Sequence, residues 1–146
     1  MKKKFLFCLV VLGLLLITPV TYGQNQKPNP TKFDSFIAQV YTGQGISQIA
    51  PNTRRYTFMK EAFLQRISYS KIDPVKSKLG TYKKLSQVPL FDTYNKGLFR
   101  DGSFNPETFN PFKYMFDFYS KQTQIIQVDN ANMLIIIKPH NYNATK

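Results

Sequence analysis

Apolar residues recur at helical spacing from residue 32 to residue 41. They fall at Phe33, Phe36, Ile37, Val40 and Tyr41, so that steps of three and four residues place them on one side of a helix. The pattern predicts a short amphipathic helix that ends at the glycine-containing turn of residues 42–45.

A second helix is predicted to begin after a capping side chain at Asn52 or Thr53 and to extend to about residue 64. Its apolar stripe consists of Tyr56, Met59, Phe63 and Ile67. From about residue 65 to residue 72, apolar and polar positions alternate instead, which predicts a strand. The strand is expected to end at Asp73, because the residue before a proline is restricted.

Three segments near the C-terminus have the pattern of strands. From 112 to 119, aromatic residues occupy every second position, as in a half-buried strand. Segments 123–128 and 133–137 follow after turn residues, and the second is continuously apolar, as in an interior strand. A three-strand antiparallel meander is therefore predicted. The competing interpretation is a helix over 111–120, capped by Asn110 with Pro111 at its first position.

The aromatic face of segment 112–119 has two interpretations. Its members are Phe112, Tyr114, Phe116 and Phe118. They are expected to fill the core beneath the helices, since alternation is what a half-buried sheet requires. The alternative is an exposed aromatic platform for a sugar or a peptide.

These elements predict an α+β fold, in which two N-terminal helices pack on an antiparallel sheet that includes the C-terminal meander. We expect one α+β domain over residues 32–146, because single domains comprise about 100–200 residues. With 42% hydrophobic and 15% aromatic residues, the composition excludes a collagen, a long coiled coil, a repeat solenoid, a multi-pass membrane protein and a fully disordered chain.

The first 23 residues have the three-part layout of a secretory signal peptide. Three lysines at positions 2–4 precede an uncharged apolar run, and Thr21 and Gly23 supply small residues for cleavage. The alternative is a retained membrane anchor, but the apolar run from Phe5 to Val20 is shorter than the roughly 20 residues that span a bilayer. Export to the periplasm or the exterior is therefore expected, with 24–31 as a flexible leader.

Signal removal would change the chemistry of the chain. The one cysteine, Cys8, lies in the signal, so the mature chain could form no disulfide and no thiolate site. An exported domain without disulfides favours a bacterial envelope. Three of the 20 basic residues would also be lost, leaving 17 against 8 acidic residues, a formal charge of +9.

The C-terminal part resembles a group of small exported proteins of unassigned function from Bacteroidota. The resemblance rests on residues 109–114, residues 116–121, Val128-Asp129-Asn130 and residues 134–139. It covers roughly the last 50 to 60 residues, and it implies export and a β-rich C-terminal half. It implies no activity and no functional residues.

The sequence offers few routes to catalysis, and we predict no catalytic residue, no metal site and no cofactor. It has one histidine and lacks the HExxH, GxSxG and phosphate-binding glycine motifs. A small hydrolase that uses two of the eight carboxylates remains the alternative, and it would require two of them to converge in a concave pocket.

The charge favours anionic partners. We predict that Arg54, Arg55, Lys83 and Lys84 contact such a partner. An anionic envelope glycan, lipopolysaccharide or an acidic protein surface would suit an exported protein, whereas nucleic acid would rarely be met after export. The leading hypothesis is thus a non-enzymatic binding or accessory module of the envelope. A purely structural envelope protein, with a basic surface that only confers solubility, is a further alternative.

Overall fold

A computed structural model describes residues 25–73 and 82–140. The predicted signal peptide of residues 1–23 lies outside the described residues, as does part of the basic stretch after Pro74. Helices and a four-stranded sheet form the domain, which confirms the predicted α+β class. Among the described residues, none of the helices has the length and apolar character needed to cross a bilayer.

Helix α1, Phe33–Val40, forms where the apolar stripe predicted it, and Phe33, Phe36, Ile37 and Val40 are buried. A short helix α2, Gly45–Gln48, follows. Helix α3, Arg54–Glu61, begins after Thr53, whose side chain accepts a hydrogen bond from the Tyr56 amide and so acts as the predicted cap.

Helix α3 passes into the sheet through one π-helical turn, Ala62–Arg66. Strand β1, Ile67–Lys71, follows directly, as the change from helical to alternating pattern predicts. Before α1, Gln26 of the predicted leader forms a backbone bridge to Tyr69 of β1, with N–O distances of 2.8 and 2.7 Å.

Besides β1, the sheet contains β2 (Lys83–Lys84), β3 (Gln124–Gln127) and β4 (Met133–Ile137), and its strand order is β1-β4-β3-β2. Strands β3, Gln124–Gln127, and β4, Met133–Ile137, form an antiparallel hairpin, and β1 pairs antiparallel with β4. The apolar run of β4 therefore lies in the interior of the sheet, as predicted. Strand β2, Lys83–Lys84, pairs parallel with β3, so the sheet is mixed and not purely antiparallel.

The predicted strand over 112–119 is wrong, and the three-strand meander is a two-strand hairpin. A 3-10 turn, Pro111–Lys113, is capped by the Asn110 side chain, so the competing helix forms for one turn only. Beyond it, backbone amides bond to carbonyls two residues back, as from Phe116 to Tyr114 and from Phe118 to Phe116. Such local bonds replace a strand ladder, and one isolated bridge joins Tyr114 to Leu90.

The alternation of burial in this segment is nevertheless real. Phe112, Tyr114, Phe116 and Phe118 are buried, which confirms their predicted place in the core. Phe112 lies edge-on against Phe33 of α1, with ring centroids 5.6 Å apart, a geometry that aromatic pairs favour. The alternation of every second residue thus predicted which aromatic side chains face the core. The segment is nevertheless not a strand, because it is not hydrogen-bonded along its length to a neighbouring strand.

Candidate functional site

The four predicted partner-binding residues occupy two separate places. Arg54 and Arg55 form the first turn of α3. Lys83 and Lys84 make up the whole of β2, which is the edge of the sheet opposite to β1. The two pairs lie on different elements, and the concavity that both arginines line, described below, includes neither lysine.

Arg55 borders a groove of about 350 Å³ between α3 and the segment that follows the Pro111–Lys113 turn. We call it the arginine–aromatic groove. Its lining comprises Tyr41, Arg55, Met59, Phe91, Phe112 and residues 114–119. The volume falls within the range of about 300–1,000 Å³ of small-molecule sites.

The Arg55 guanidinium lies over the Tyr41 ring, 5.5 Å from its centroid. Burial raises the pKa of Tyr41, and Arg55 offsets part of that shift by stabilising the phenolate. Neither Arg54 nor Arg55 forms an ion pair with any carboxylate in the described part of the chain. Most of the five N–H donors of the Arg55 guanidinium are therefore available to a ligand.

A shallower depression of about 550 Å³ adjoins the groove. Arg54, Arg55, Phe58 and Tyr119 line it, so it shares Arg55 and Tyr119 with the groove. The Phe58 and Tyr119 rings stack, with centroids 4.4 Å apart and planes within 8° of parallel. Tyr119 is 59% exposed and Met115 is 58% exposed. The two concavities together present two guanidinium groups beside a wide aromatic surface, and Asp117 also belongs to the lining of the groove.

A buried arginine holds this surface in place. The Arg66 guanidinium lies 4.9 Å from the Phe58 ring centroid on the protein side. It donates to Glu61 Oε2 at 2.8 Å and to the Phe118 carbonyl oxygen at 2.8 Å. Arg66 thereby ties α3 to the segment that carries Tyr119, and this fixes both partners of the stacked pair.

Sequence reasoning found Arg54 and Arg55 but missed the aromatic half of the groove. The candidate platform on Phe112, Tyr114, Phe116 and Phe118 is core. The exposed apolar surface is instead formed by Met115 and Tyr119, which occupy positions between or after the buried aromatic residues of this segment. One feature of the sequence could have predicted this surface: two large apolar residues occupy positions at which the alternation predicts exposure to solvent.

A third concavity, of about 300 Å³, lies near the hairpin turn, and we call it the polar cavity. Both Asp101 and Asp129 line it, so the carboxylate pair that the hydrolase hypothesis requires does share a cavity. Asp101 Oδ1 accepts a hydrogen bond from Lys113 Nζ at 2.6 Å. The two Asp129 oxygens accept bonds from the Ser86 amide and hydroxyl groups, both at 2.7 Å.

The charges and hydrogen bonds around Asp129 shift its pKa in the direction opposite to the one that a general acid requires. Burial by itself would raise the pKa of Asp129, but the hydrogen bonds from Ser86 and the nearby Lys84 ammonium outweigh it and lower the pKa. A general acid needs the opposite shift. Asp101 forms an ion pair with Lys113, so each of the two carboxylates already has a partner within the protein. Across residues 25–73 and 82–140, no three His, Cys, Asp or Glu side chains cluster closely enough to hold a metal ion.

Comparisons of the chain with protein-family models, with curated proteins and with solved structures found no match. The resemblance to exported proteins of Bacteroidota therefore stays a prediction. The geometry of the arginine–aromatic groove carries the functional argument.

Proposed function

We propose that the protein is an exported, non-enzymatic binding module of the bacterial envelope, and that it recognises an anionic component through the arginine–aromatic groove. The observation that carries the proposal is the placement of Arg54 and Arg55, which lack carboxylate partners among the described residues and border concave, partly exposed aromatic surfaces. A guanidinium in such a position binds carboxylate or phosphate oxygens in a bidentate manner.

The position of the two arginines within α3 supports a binding role. The helix has no acidic residue in its first turn, where the positive end of the helix dipole favours acidic side chains. Two cations there cost the helix stability, by roughly 0.3–1 kcal/mol each at exposed positions. Residues that destabilise their own helix in this way are expected at functional sites, where binding requires them. The positive end of the helix dipole also adds to the attraction for an anion.

The aromatic half favours a glycan among the predicted anionic partners. The stacked Phe58 and Tyr119 rings and the exposed Met115 offer an apolar surface beside the charges. An acidic sugar would place its apolar ring face on Tyr119 and its carboxylate or phosphate group on Arg55. Lipopolysaccharide carries the same combination of sugar rings and anionic groups.

Lys83 and Lys84 have a structural explanation of their own. Strand β2 is two residues long and forms the edge of the sheet, and both lysines are exposed. Short, lysine-bearing edge strands prevent pairing with the edges of other sheets. In this proposal they add long-range attraction for a polyanion but make no specific contact.

The test measures binding of the protein beginning at Gln24 to heparin and to lipopolysaccharide vesicles over a range of salt concentrations. The double variant Arg54→Gln/Arg55→Gln is compared with Lys83→Gln/Lys84→Gln, which removes the same charge at the opposite edge of the sheet. We expect the arginine variant to lose about tenfold or more in affinity, and the lysine variant to lose a few-fold. Equal losses would show that charge alone attracts the ligand, and absence of binding at low salt would refute the proposal.

Export is tested separately. The protein recovered from the envelope fraction of its native cell should begin at Gln24. Recovery from the cytosol with Met1 intact would contradict export and would return nucleic acid to consideration.

A further inference from the structure

The polar cavity contains one cation and one anion that form no direct ion pair in the described part of the chain, although Lys84 lies near enough to Asp129 to affect its pKa. Arg100 and Asp129 both line it, and neither forms an ion pair with the other or with any other described charged residue. Asp101 also lines the cavity, and its charge is compensated by Lys113 Nζ, which lies 2.6 Å away and outside the lining. Arg100 and Asp129 are therefore the positive and the negative group that the cavity offers to a ligand.

Both groups are held rigidly. Arg100 donates from Nη1 to the Leu85 carbonyl oxygen at 2.9 Å and from Nη2 to the Val88 carbonyl oxygen at 2.6 Å. Its guanidinium lies 5.7 Å from the Tyr114 ring centroid. These contacts use two of its five N–H donors and leave three.

Asp129 is fixed by the two hydrogen bonds from Ser86, described above, which leave about half of its acceptor positions open. It occupies the turn between β3 and β4, and the following residue, Asn130, has a φ of 55° in the left-handed region. Three segments far apart in the sequence thus converge on the cavity: the turn after β2, the loop at Arg100 and the hairpin turn. Fixed groups of this kind bind a ligand with a smaller loss of conformational freedom.

The lining also has an apolar, aromatic part, beside polar residues such as Ser103 and Asn130. Phe104, Phe109 and Val128 contribute to it, and the Phe104 and Phe109 rings lie 5.0 Å apart. A volume of about 300 Å³ lies at the lower end of the range for ligand sites, which admits a small molecule and not a polymer.

We propose that the polar cavity binds a free α-amino acid with an apolar side chain. Its carboxylate group pairs with Arg100, its ammonium group pairs with Asp129, and its side chain packs against Phe104 and Phe109. A zwitterion satisfies both unpaired groups at once and adds no net charge, whereas a simple anion would leave Asp129 unpaired and a simple amine would leave Arg100 unpaired. This site has only Tyr114 in common with the arginine–aromatic groove, and its existence does not depend on the function proposed there.

The test uses the unaltered protein and three forms of each probe. Binding of L-leucine and L-phenylalanine is measured by calorimetry or by chemical-shift changes, and is compared with that of their N-acetyl derivatives, which lack the ammonium group, and their amides, which lack the carboxylate group. We expect each derivative to bind about tenfold or more weakly than the free amino acid. Equal affinity of the three forms, or no binding of either amino acid up to about 10 mM, would overturn the proposal.

A variant then assigns the ammonium contact. Asp129→Asn preserves the shape of the side chain, and it should weaken binding of the free amino acid about tenfold while leaving the affinity for its N-acetyl derivative unchanged. The matched control is Asp92→Asn, which removes a carboxylate from the exposed pair with Lys96, outside the cavity lining. If Asp129→Asn binds the free amino acid as tightly as the control does, the assignment of Asp129 is wrong.

Discussion

The buried Arg66 offers a sharp test of what stabilises the region behind the arginine–aromatic groove. Its side chain is 5% exposed, and its Nη2 atom is buried without a hydrogen-bond partner among the described residues. The charge is compensated by Glu61, which is 32% exposed and also lies 3.9 Å from His140 Nδ1. The two partners of this ion pair therefore differ in their access to water, and we predict that their substitutions differ in effect.

Glu61→Gln removes the compensating charge and retains the side-chain shape. Leaving a fully buried charge unpaired costs about 3–5 kcal/mol, and an exposed ion pair contributes about 0–1 kcal/mol. Because one third of Glu61 is exposed, water can approach the pair, and we expect a loss of about 1–3 kcal/mol in the free energy of unfolding.

Arg66→Met removes the buried charge itself. The variant loses the bond to the Phe118 carbonyl group, worth about 0.5–1.5 kcal/mol, and the contact with the Phe58 ring. The variant also gains stability, because the folded state no longer buries a guanidinium that has an unpartnered nitrogen. Glu61, left without Arg66, can be hydrated. We expect a net change within about 1 kcal/mol, and the double variant should resemble Arg66→Met, since Glu61 then has no buried charge to compensate.

Urea unfolding followed by circular dichroism and tyrosine fluorescence measures these changes, because the chain has nine tyrosines and no tryptophan. Asp92→Asn is the control. Asp92 forms an exposed ion pair with Lys96, and loss of this pair should change the free energy of unfolding by less than about 0.5 kcal/mol. A larger loss for Arg66→Met than for Glu61→Gln, or additive losses in the double variant, would refute the reasoning.

Three further predictions concern other parts of the domain. Gly45→Ala would bring a Cβ atom to 2.5 Å from Tyr94 Cγ, so we expect a loss of about 1–3 kcal/mol in urea unfolding despite the higher helix propensity of alanine. Thr53→Ala removes the cap of α3 and should cost about 1 kcal/mol in the same assay, while Thr53→Ser should restore most of it. The lowered pKa of Asp129 means that the folded state holds this carboxylate more strongly ionised than the unfolded state does. Its contribution to stability is therefore present above the ordinary value of 3.8 and is lost as the pH falls through the lower folded value. Acid titration of unfolding should show a weaker pH dependence in Asp129→Asn than in the unaltered protein, and identical curves would contradict this.

Local chemistry determined much of the fold. The stripe of α1, the Thr53 cap and the change from helical to alternating pattern before β1 each depend on residues a few positions apart, and each is visible in the sequence. The alternation from 112 to 119 also identified the four buried aromatic side chains, although it did not predict that Lys113 is buried too. Periodicity indicates the direction in which a side chain points relative to the core, and this information is contained within the segment itself.

The identity of hydrogen-bonding and ligand-binding partners was decided only in three dimensions. In segment 114–119, backbone amides bond to carbonyl groups two residues back, whereas a strand would bond to a neighbouring strand. Strand β2 pairs parallel with a strand about 40 residues away in sequence, and no local pattern encodes this connection. The groove joins Arg55 to Tyr119, and the polar cavity joins Arg100 to Asp129. The sequence by itself determined the first and third helices, strands β1, β3 and β4, most of the core and the charge of this protein, because those follow from local spacing and composition. The tertiary structure decided which charges remain unpaired and which of them line the same concave surface, because both depend on contacts between residues distant in the chain.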